Sequence, residues 1–322
     1  MISVALCTYN GERFLREQLQ SICTQSLPVD EVVIGDDRSC DNTIIIINSF
    51  KDKLPLRILD SSRHQGGKKN FLRTIYECKG DIIFLSDQDD IWNPNKVETI
   101  KNYFDTHGNV DAIFTDATLI DSDGKPLEGN RTLWDYFFDE ISRKRCEMGF
   151  MIEEFCSSSH ATGATMAFRK KLTSRFPNRD DIWHDELIAR LAVSSHSLAY
   201  LPECLTRYRI HSSQQIGISP CKSNDGFQGD YRQPEMPFSI EDLFLTNEED
   251  LKHIDFLKFR CRTKHQVFGW INAIVHLSSY KRFYKKHAFA FAMYDVFNSI
   301  KHTTKRIQRK IMLFFAYKGS GK

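Results

Sequence analysis

None of the nine cysteines pairs with another as C-x-x-C, which argues against a zinc ribbon. Their odd number and scatter fit reduced thiols in a cytosolic protein. No apolar run approaches the roughly 18 residues that a membrane-crossing helix needs. A basic stretch followed by a long apolar one is also missing at the start, where Met1-Ile2-Ser3-Val4 runs straight into "TYNGE", so no secretory leader is expected. No internal repeat is present. Net charge is only +2, so the molecule as a whole is not a polyanion binder. "HQGGKKN" (64–70) fails the G-x-x-x-x-G-K-[ST] spacing, which removes a Walker phosphate loop.

What is present is enough for a large core. The chain has 322 residues, 41% of them hydrophobic and 27% charged. That length predicts one large domain with an appendage, or two domains. The first half alternates short apolar runs with amphipathic stretches. Ile2 to Cys7 reads as a strand, and Gly11 to Thr24 as a helix with Phe14, Leu15, Leu19 and Ile22 on one face. "EVVIG" (31–35), 56–59, "DIIFLS" (81–86) and 111–116 read as further strands. "NTIIIINSF" is β-branched, yet its position in the alternation predicts a helix. Asn70 to Cys78 and "KVETIKNYF" after Pro94 complete the set. Such alternation predicts an α/β, Rossmann-like, mostly parallel sheet with helices on both faces.

In sheets of this kind, ligands bind beyond the carboxyl ends of the strands. The polar clusters fall there in register. "TYN" follows the first strand, "DDRSCDN" the second, "SRHQGGKKN" the third and "SDQDD" the fourth. The last crowds Asp87, Asp89 and Asp90 together after an apolar run. Such acids repel one another and resist desolvation, so they either sit in water as a turn or meet something positive. Asp90 also suits a cap for the helix near Pro94.

The second half is less regular. "DSDGK" (121–125) resembles the opening of a calcium loop, but its remaining ligands fail, and it reads as a turn. "ATGATMAFRK" reads as a strand and "IWHDELIARLAVSS" as a helix. "LAYLPECLTRYRIH" reads as two strands, or a strand and a turn. Residues 217–238 read as a loop or linker, and 239–322 as a helical region. From Lys281 to Lys322 basic residues dominate, with Asp295 the only acid. That basic, aromatic tail suits packing on the catalytic domain or on another subunit of a homo-oligomer. It equally suits an anionic membrane surface. It carries no base-stacking module, so nucleic acid is not expected.

"VALCTYNGERFLREQLQSI", "EVVIGDDRSCDNT" and "FLSDQDDIWNPNKV", in that order, resemble the family 2 glycosyltransferases of GT-A fold. "SDQDDIW" is most similar to bacterial rhamnosyltransferase-type enzymes of surface polysaccharide assembly. The resemblance covers residues 1–216, a nucleotide-sugar half to about 117 and an acceptor half from 118. It implies an inverting, metal-dependent transfer from a dTDP- or UDP-linked sugar to a glycan or lipid-linked acceptor. The enzyme would be cytoplasmic, or peripheral at the inner face of the membrane. It implies Mn2+ or Mg2+ held against the donor diphosphate by Asp89, with Asp87 near ribose and metal, and His211 as a further metal ligand. Thr8, Tyr9, Asn10, Glu12, Asp36, Asp37 and Lys69 would line the nucleotide site. For Asn10, capping the following helix is an alternative, and for Glu12, interaction with that helix's dipole in its first turn is another. Asp185 at the start of "HDELIARLA" matches the position of the base, with Asp181 and Glu186 as rivals. A nucleotidyltransferase is the alternative enzyme class, disfavoured because "TYNGERF" replaces the Gly/Arg/Lys-rich loop expected after strand one. An inactive nucleotide-sugar-binding module is the other alternative.

Overall fold

The computed structural model describes residues 1–129, 131–147, 151, 154–155, 160–177, 183–214, 218–219 and 228–229. The chain divides into two compact units. The first is Met1–Arg143 with Glu154–Ser239, and the second is Lys144–Glu153 with Ile240–Lys322. Asp181, most of the expected linker and the whole basic tail lie outside the described residues, as do the calls made on that tail.

The first unit is built on β1 (Ile2–Thr8), β2 (Glu31–Asp36), β3 (Leu56–Leu59), β4 (Ile82–Ser86), β5 (Ile91–Trp92), β6 (Ala112–Ile120), β7 (Met166–Arg169) and β8 (Leu198–Arg209). They form one sheet of order β3-β2-β1-β4-β7-β6-β8-β5. Four strands, β3 through β4, are parallel. β7 then runs antiparallel to both β4 and β6, while β8 is parallel to β6. β1, β2 and β4 are buried at every residue, as strands covered on both faces must be. β9 (Ile218–Ser219) and β10 (Gln228–Gly229) form a separate short antiparallel pair.

Helices among the described residues include α1 (Leu15–Cys23), α2 (Thr43–Asn48), α3 (Gly67–Glu77), α4 (Lys96–Thr106), α5 (Trp134–Phe137), α6 (Glu140–Glu147) and α7 (His184–Ser194). Leu15, Leu19 and Ile22 of α1, Ile46 and Ile47 of α2, and Val97, Ile100 and Phe104 of α4 share one core with Val4, Leu6, Val32, Ile34 and Phe84. α3 packs on β1 and β2 and meets α7, where Leu72, Leu187 and Leu191 cluster. Helices thus cover both faces. The four-isoleucine run is helical because Ile46 and Ile47 reach the core, and packing outweighs its weak β preference.

Of the two readings open for "LAYLPECLTRYRIH", a strand and a turn holds: β8 is one long strand, with a turn following at 212–213. Its register against β6 shifts at Thr115/Asp116 and Asp116/Ala117, so a bulge accommodates Pro202 without ending the strand. One expectation here needs correction. Asp90 does not cap α4, whose N-cap Asn95 makes no side-chain capping bond. The Asp90 carboxylate instead accepts the Arg209 amide at 2.9 Å.

The "DSDGK" turn is closed as expected. Asp121 Oδ1 accepts the amides of Asp123 and Lys125, both at 2.9 Å. Its carbonyls are occupied by arginines rather than left for a cation. Arg209 donates to Asp121 O and Ser122 O, and Arg207 to Gly124 O.

Candidate active site

The loops after β1, β2, β3 and β4 do converge. Thr8, buried at the end of β1, donates to Asp36 Oδ1 at 2.8 Å. Ser39 donates its hydroxyl and amide to the same carboxylate, at 2.6 and 2.9 Å. Asp37 is 2% exposed and accepts the amides of Gln65 and Gly66, each at 2.7 Å. Gly66 has φ +83°, a conformation that an L side chain would strain, and it leads directly into α3. His64 Nδ1 lies 3.0 Å from Asp37 Oδ2, and its exposed ring leans on Tyr9 with centroids 4.6 Å apart. Tyr9 is exposed, while its backbone is clamped by Gln88 at 2.8 and 3.1 Å. Lys69 lies exposed in the first turn of α3.

Asn10 and Glu12 do other work than serving α1, which begins only at Leu15. Asn10 adopts φ +47° and its Oδ1 accepts the Cys40 amide at 2.9 Å. Glu12 Oε2 accepts the Asn42 amide at 3.0 Å and the Asn42 side chain at 2.7 Å, fastening the start of α2. Both residues therefore build the walls of the loop cluster.

The acidic loop is gripped from the end of β8. His211 Nε2 lies 2.9 Å from Asp89 Oδ2, and its Nδ1 lies 2.8 Å from Ser213 Oγ. The His211 ring rests against Phe14 at 4.6 Å. Arg209, with no exposed surface, donates Nε to Asp89 O at 2.7 Å and Nη2 to Glu17 Oε2 at 2.6 Å. These partners lie 120 and 192 positions away, beyond the reach of any local sequence pattern.

Asp185 enters from the other side. Its Oδ1 accepts the Glu186 amide at 2.8 Å and its Oδ2 the Gly163 amide at 3.1 Å. His184 beside it is buried and stacked on Phe71, centroids 3.8 Å apart, and burial holds its pKa below the ordinary histidine value. Glu186 is ion-paired with the buried Arg190 one turn along α7. Trp183 precedes α7, with Lys68 Nζ 5.1 Å from its ring centre. The two sides feel each other at Asp87. Burial, then the negative charges of Asp89 and Asp185, push the Asp87 carboxyl up to about 8. Burial, then Asp89 and Asp87, push Asp90 well above the carboxylate range.

That shift has a consequence for stability. A carboxyl whose pKa is raised on folding binds protons that the unfolded chain has already released. Stability is then lost as pH climbs from the unfolded value, roughly 4, towards the folded one near 8. In urea titrations without divalent cations, the parent is expected to lose more stability between pH 5 and pH 8 than Asp87→Asn does. Equal losses would show that Asp87 carries no such proton.

Among the described residues no three His, Cys, Asp or Glu side chains converge as a ready metal centre. The donor set still fits a hard divalent cation. Mg2+ and Mn2+ sites at phosphates commonly use one or two carboxylates, with phosphate oxygens and water completing the shell. Asp89 and Asp87 supply such oxygens, and a cation there would offset the burial and repulsion that raise Asp87.

Residues 3–176, more than half of the chain, match the family model described as "Glycosyl transferase family 2". This chain belongs to that family. Among curated relatives, it is 29% identical over 242 residues to the dTDP-rhamnosyl transferase RfbG of Shigella flexneri, covering 71% of this chain and 77% of the relative. An uncharacterised glycosyltransferase of Nostoc sp. is 25% identical over 219 residues, covering 66% of this chain and 65% of the relative. The chain thus spans slightly less than two thirds of that relative. The solved structure of Staphylococcus aureus TarS (residues 1–349) with UDP aligns with TM-score 0.54 at 18% identity, over 88% of this chain and 76% of the other. That likeness, with the mixed sheet described above, identifies the fold as GT-A.

Proposed function

We propose that this chain is a metal-dependent inverting glycosyltransferase that moves a sugar from a nucleoside-diphosphate donor to a glycan or lipid-linked acceptor. The carrying observation is the convergence of the loops after β1, β2, β3 and β4, with Asp87 within electrostatic reach of both Asp89 and Asp185. One side suits a diphosphate with its cation, and the other suits an acceptor hydroxyl.

In this reading Asp36 and Asp37, with the Tyr9 ring, receive the base, Thr8 supports Asp36, and Lys69 approaches the diphosphate. Asp89, with Asp87 and His211, holds Mn2+ or Mg2+, which when bound offsets charge developing on the leaving diphosphate. Asp185 takes the proton from the acceptor hydroxyl as its oxygen bonds to the anomeric carbon and the carbon–phosphate oxygen bond breaks. The proton stays on Asp185, and the electron pair leaves with the nucleoside diphosphate. Glu186 is the weaker candidate for this role because Arg190 already holds it. The name of the Shigella relative, a dTDP-rhamnosyl transferase, supports dTDP-rhamnose as donor. The loop after β1 is spent on hydrogen bonds to Ser39, Cys40, Asp41 and Asn42 rather than on a phosphate, which speaks against a nucleotidyltransferase.

A thermal-shift panel of dTDP, UDP, GDP and CDP, each with Mn2+ or with chelator, tests the proposal. dTDP and UDP are expected to stabilise the protein, and more so with Mn2+. If none of the four shifts the midpoint in either condition, the nucleotide-sugar reading falls.

A further inference from the structure

Lys96 is a buried cation for which the reaction above has no use. It opens α4, just past the acidic loop, and has no exposed surface. An ammonium in such a place is costly unless it is well bonded. Burial pulls its pKa down to about 7, against the raising effects of Asp90 and Asp87. Its Nζ donates to Ala164 O and to Thr206 Oγ1, each at 2.8 Å, and lies 4.3 Å from the centre of the Trp92 ring. Thr206 Oγ1 reaches the same Ala164 carbonyl at 3.3 Å.

Ala164 belongs to the 3₁₀ turn Gly163–Thr165 that feeds β7. Its neighbour Gly163 gives its amide to Asp185 Oδ2 at 3.1 Å. That turn has no slack on the α7 side. A Cβ on Gly163 would lie 2.9 Å from His184 Nε2 and 3.6 Å from Asp185 Oδ2. The turn is thus pinned from beneath by Lys96 and pressed from above by the start of α7. The Ala164 carbonyl and the Gly163 amide that bonds Asp185 belong to one short turn, so displacing the first shifts the second.

We propose that Lys96 is a positioning residue for the transfer, acting through the Gly163–Ala164 turn on the carboxylate of Asp185. It ties the start of α4 to the turn whose amide bonds the carboxylate of Asp185. This inference rests on the reading of Asp185 as the base.

The experiment uses the full chain and dTDP-rhamnose, with dTDP release to water as the acceptor-free turnover. Lys96→Met, Gly163→Ala, Asp185→Asn and the Lys96→Met/Asp185→Asn double variant are compared with the parent, and dTDP affinity in Mn2+ is measured by calorimetry. Lys96→Met and Gly163→Ala are each expected to lower kcat at least about tenfold, a loss of ~1.4 kcal/mol of transition-state stabilisation. Donor KM and dTDP affinity should stay within about twofold, the pattern of an interaction felt in the transition state. The double variant should be no slower than Asp185→Asn alone, because residues acting through one group are not additive. A merely structural lysine would instead multiply its loss into the double variant. That multiplication, an unchanged kcat in Lys96→Met, or a loss of dTDP affinity in step with kcat overturns the proposal. Should Lys96→Met fail to fold, Gly163→Ala decides: lower kcat with unchanged dTDP affinity supports it, and unchanged kcat sinks it. Asp185→Asn with undiminished kcat reports a different failure, that of the base assignment.

Discussion

Asp89→Ala is expected to erase the difference that a divalent cation makes to nucleotide binding. In the parent, calorimetry with dTDP or UDP should give clearly tighter binding in Mn2+ than in chelator. In the variant the two affinities should coincide near the parent's chelator value, a loss of at least about tenfold, or ~1.4 kcal/mol, in Mn2+. The physical reason is local. Asp89 combines partial exposure with a set orientation, its backbone carbonyl fixed by Arg209 and its carboxylate by His211. Asp90 cannot substitute, since it is buried and engaged with the Arg209 amide. His211→Gln should give an intermediate loss, because it removes an imidazole while leaving Asp89 in place. Equal affinities for parent and Asp89→Ala in both conditions would rule out a cation bridge at this position.

Much of this site was legible because the fold concentrates polar residues where buried strands end. "CTYN", "GDDRS" and "FLSDQDD" each switch from fully buried to polar within a residue or two, and the parallel order β3-β2-β1-β4 carries those switches to one edge. The loops therefore had to meet. Three features were not legible. β7 is inserted antiparallel between β4 and β6, although some fifty residues separate it from β6 in sequence, and nothing local states its partner. β8 leaves two readings open because Pro202 and Glu203 interrupt its apolar run, and only the bulge opposite Asp116 shows that one strand continues. The buried cations were hidden most deeply. A lysine after "NPN" and an arginine in "RYRIH" look like surface residues, since Lys and Arg are seldom fully buried unless paired. Their partners lie 68, 110, 120 and 192 positions away. Hydrogen bonds of that range belong to tertiary structure and leave no periodicity behind. Asn10 and Glu12 show the converse. Their helix-start role looked adequate locally, but α1 begins later, and the side chains reach across to the loop before α2.

Asp185→Asn is expected to have the largest effect on turnover. The substitution preserves shape, and an amide oxygen can still accept the Gly163 or Glu186 N–H, but it cannot take a proton. Donor affinity should be nearly unchanged, because the acids proposed to face the nucleotide and cation lie on other loops. Turnover should fall by roughly 100- to 10,000-fold, the usual worth of a positioned general base. Loss of kcat at constant donor affinity marks an interaction made only in the transition state. One secondary effect has a defined sign. The negative charge of Asp185 is among the causes that raise Asp87, so its removal should let Asp87 ionise more readily. Nucleotide binding in Mn2+ should then hold steady or tighten slightly at pH 7, and a decline would contradict the assignment. If thermal stability and donor affinity collapse together, Asp185 is holding the start of α7 against the Gly163 turn rather than moving a proton. If kcat scarcely changes, Asp181 becomes the next candidate, since Glu186 is already committed to Arg190.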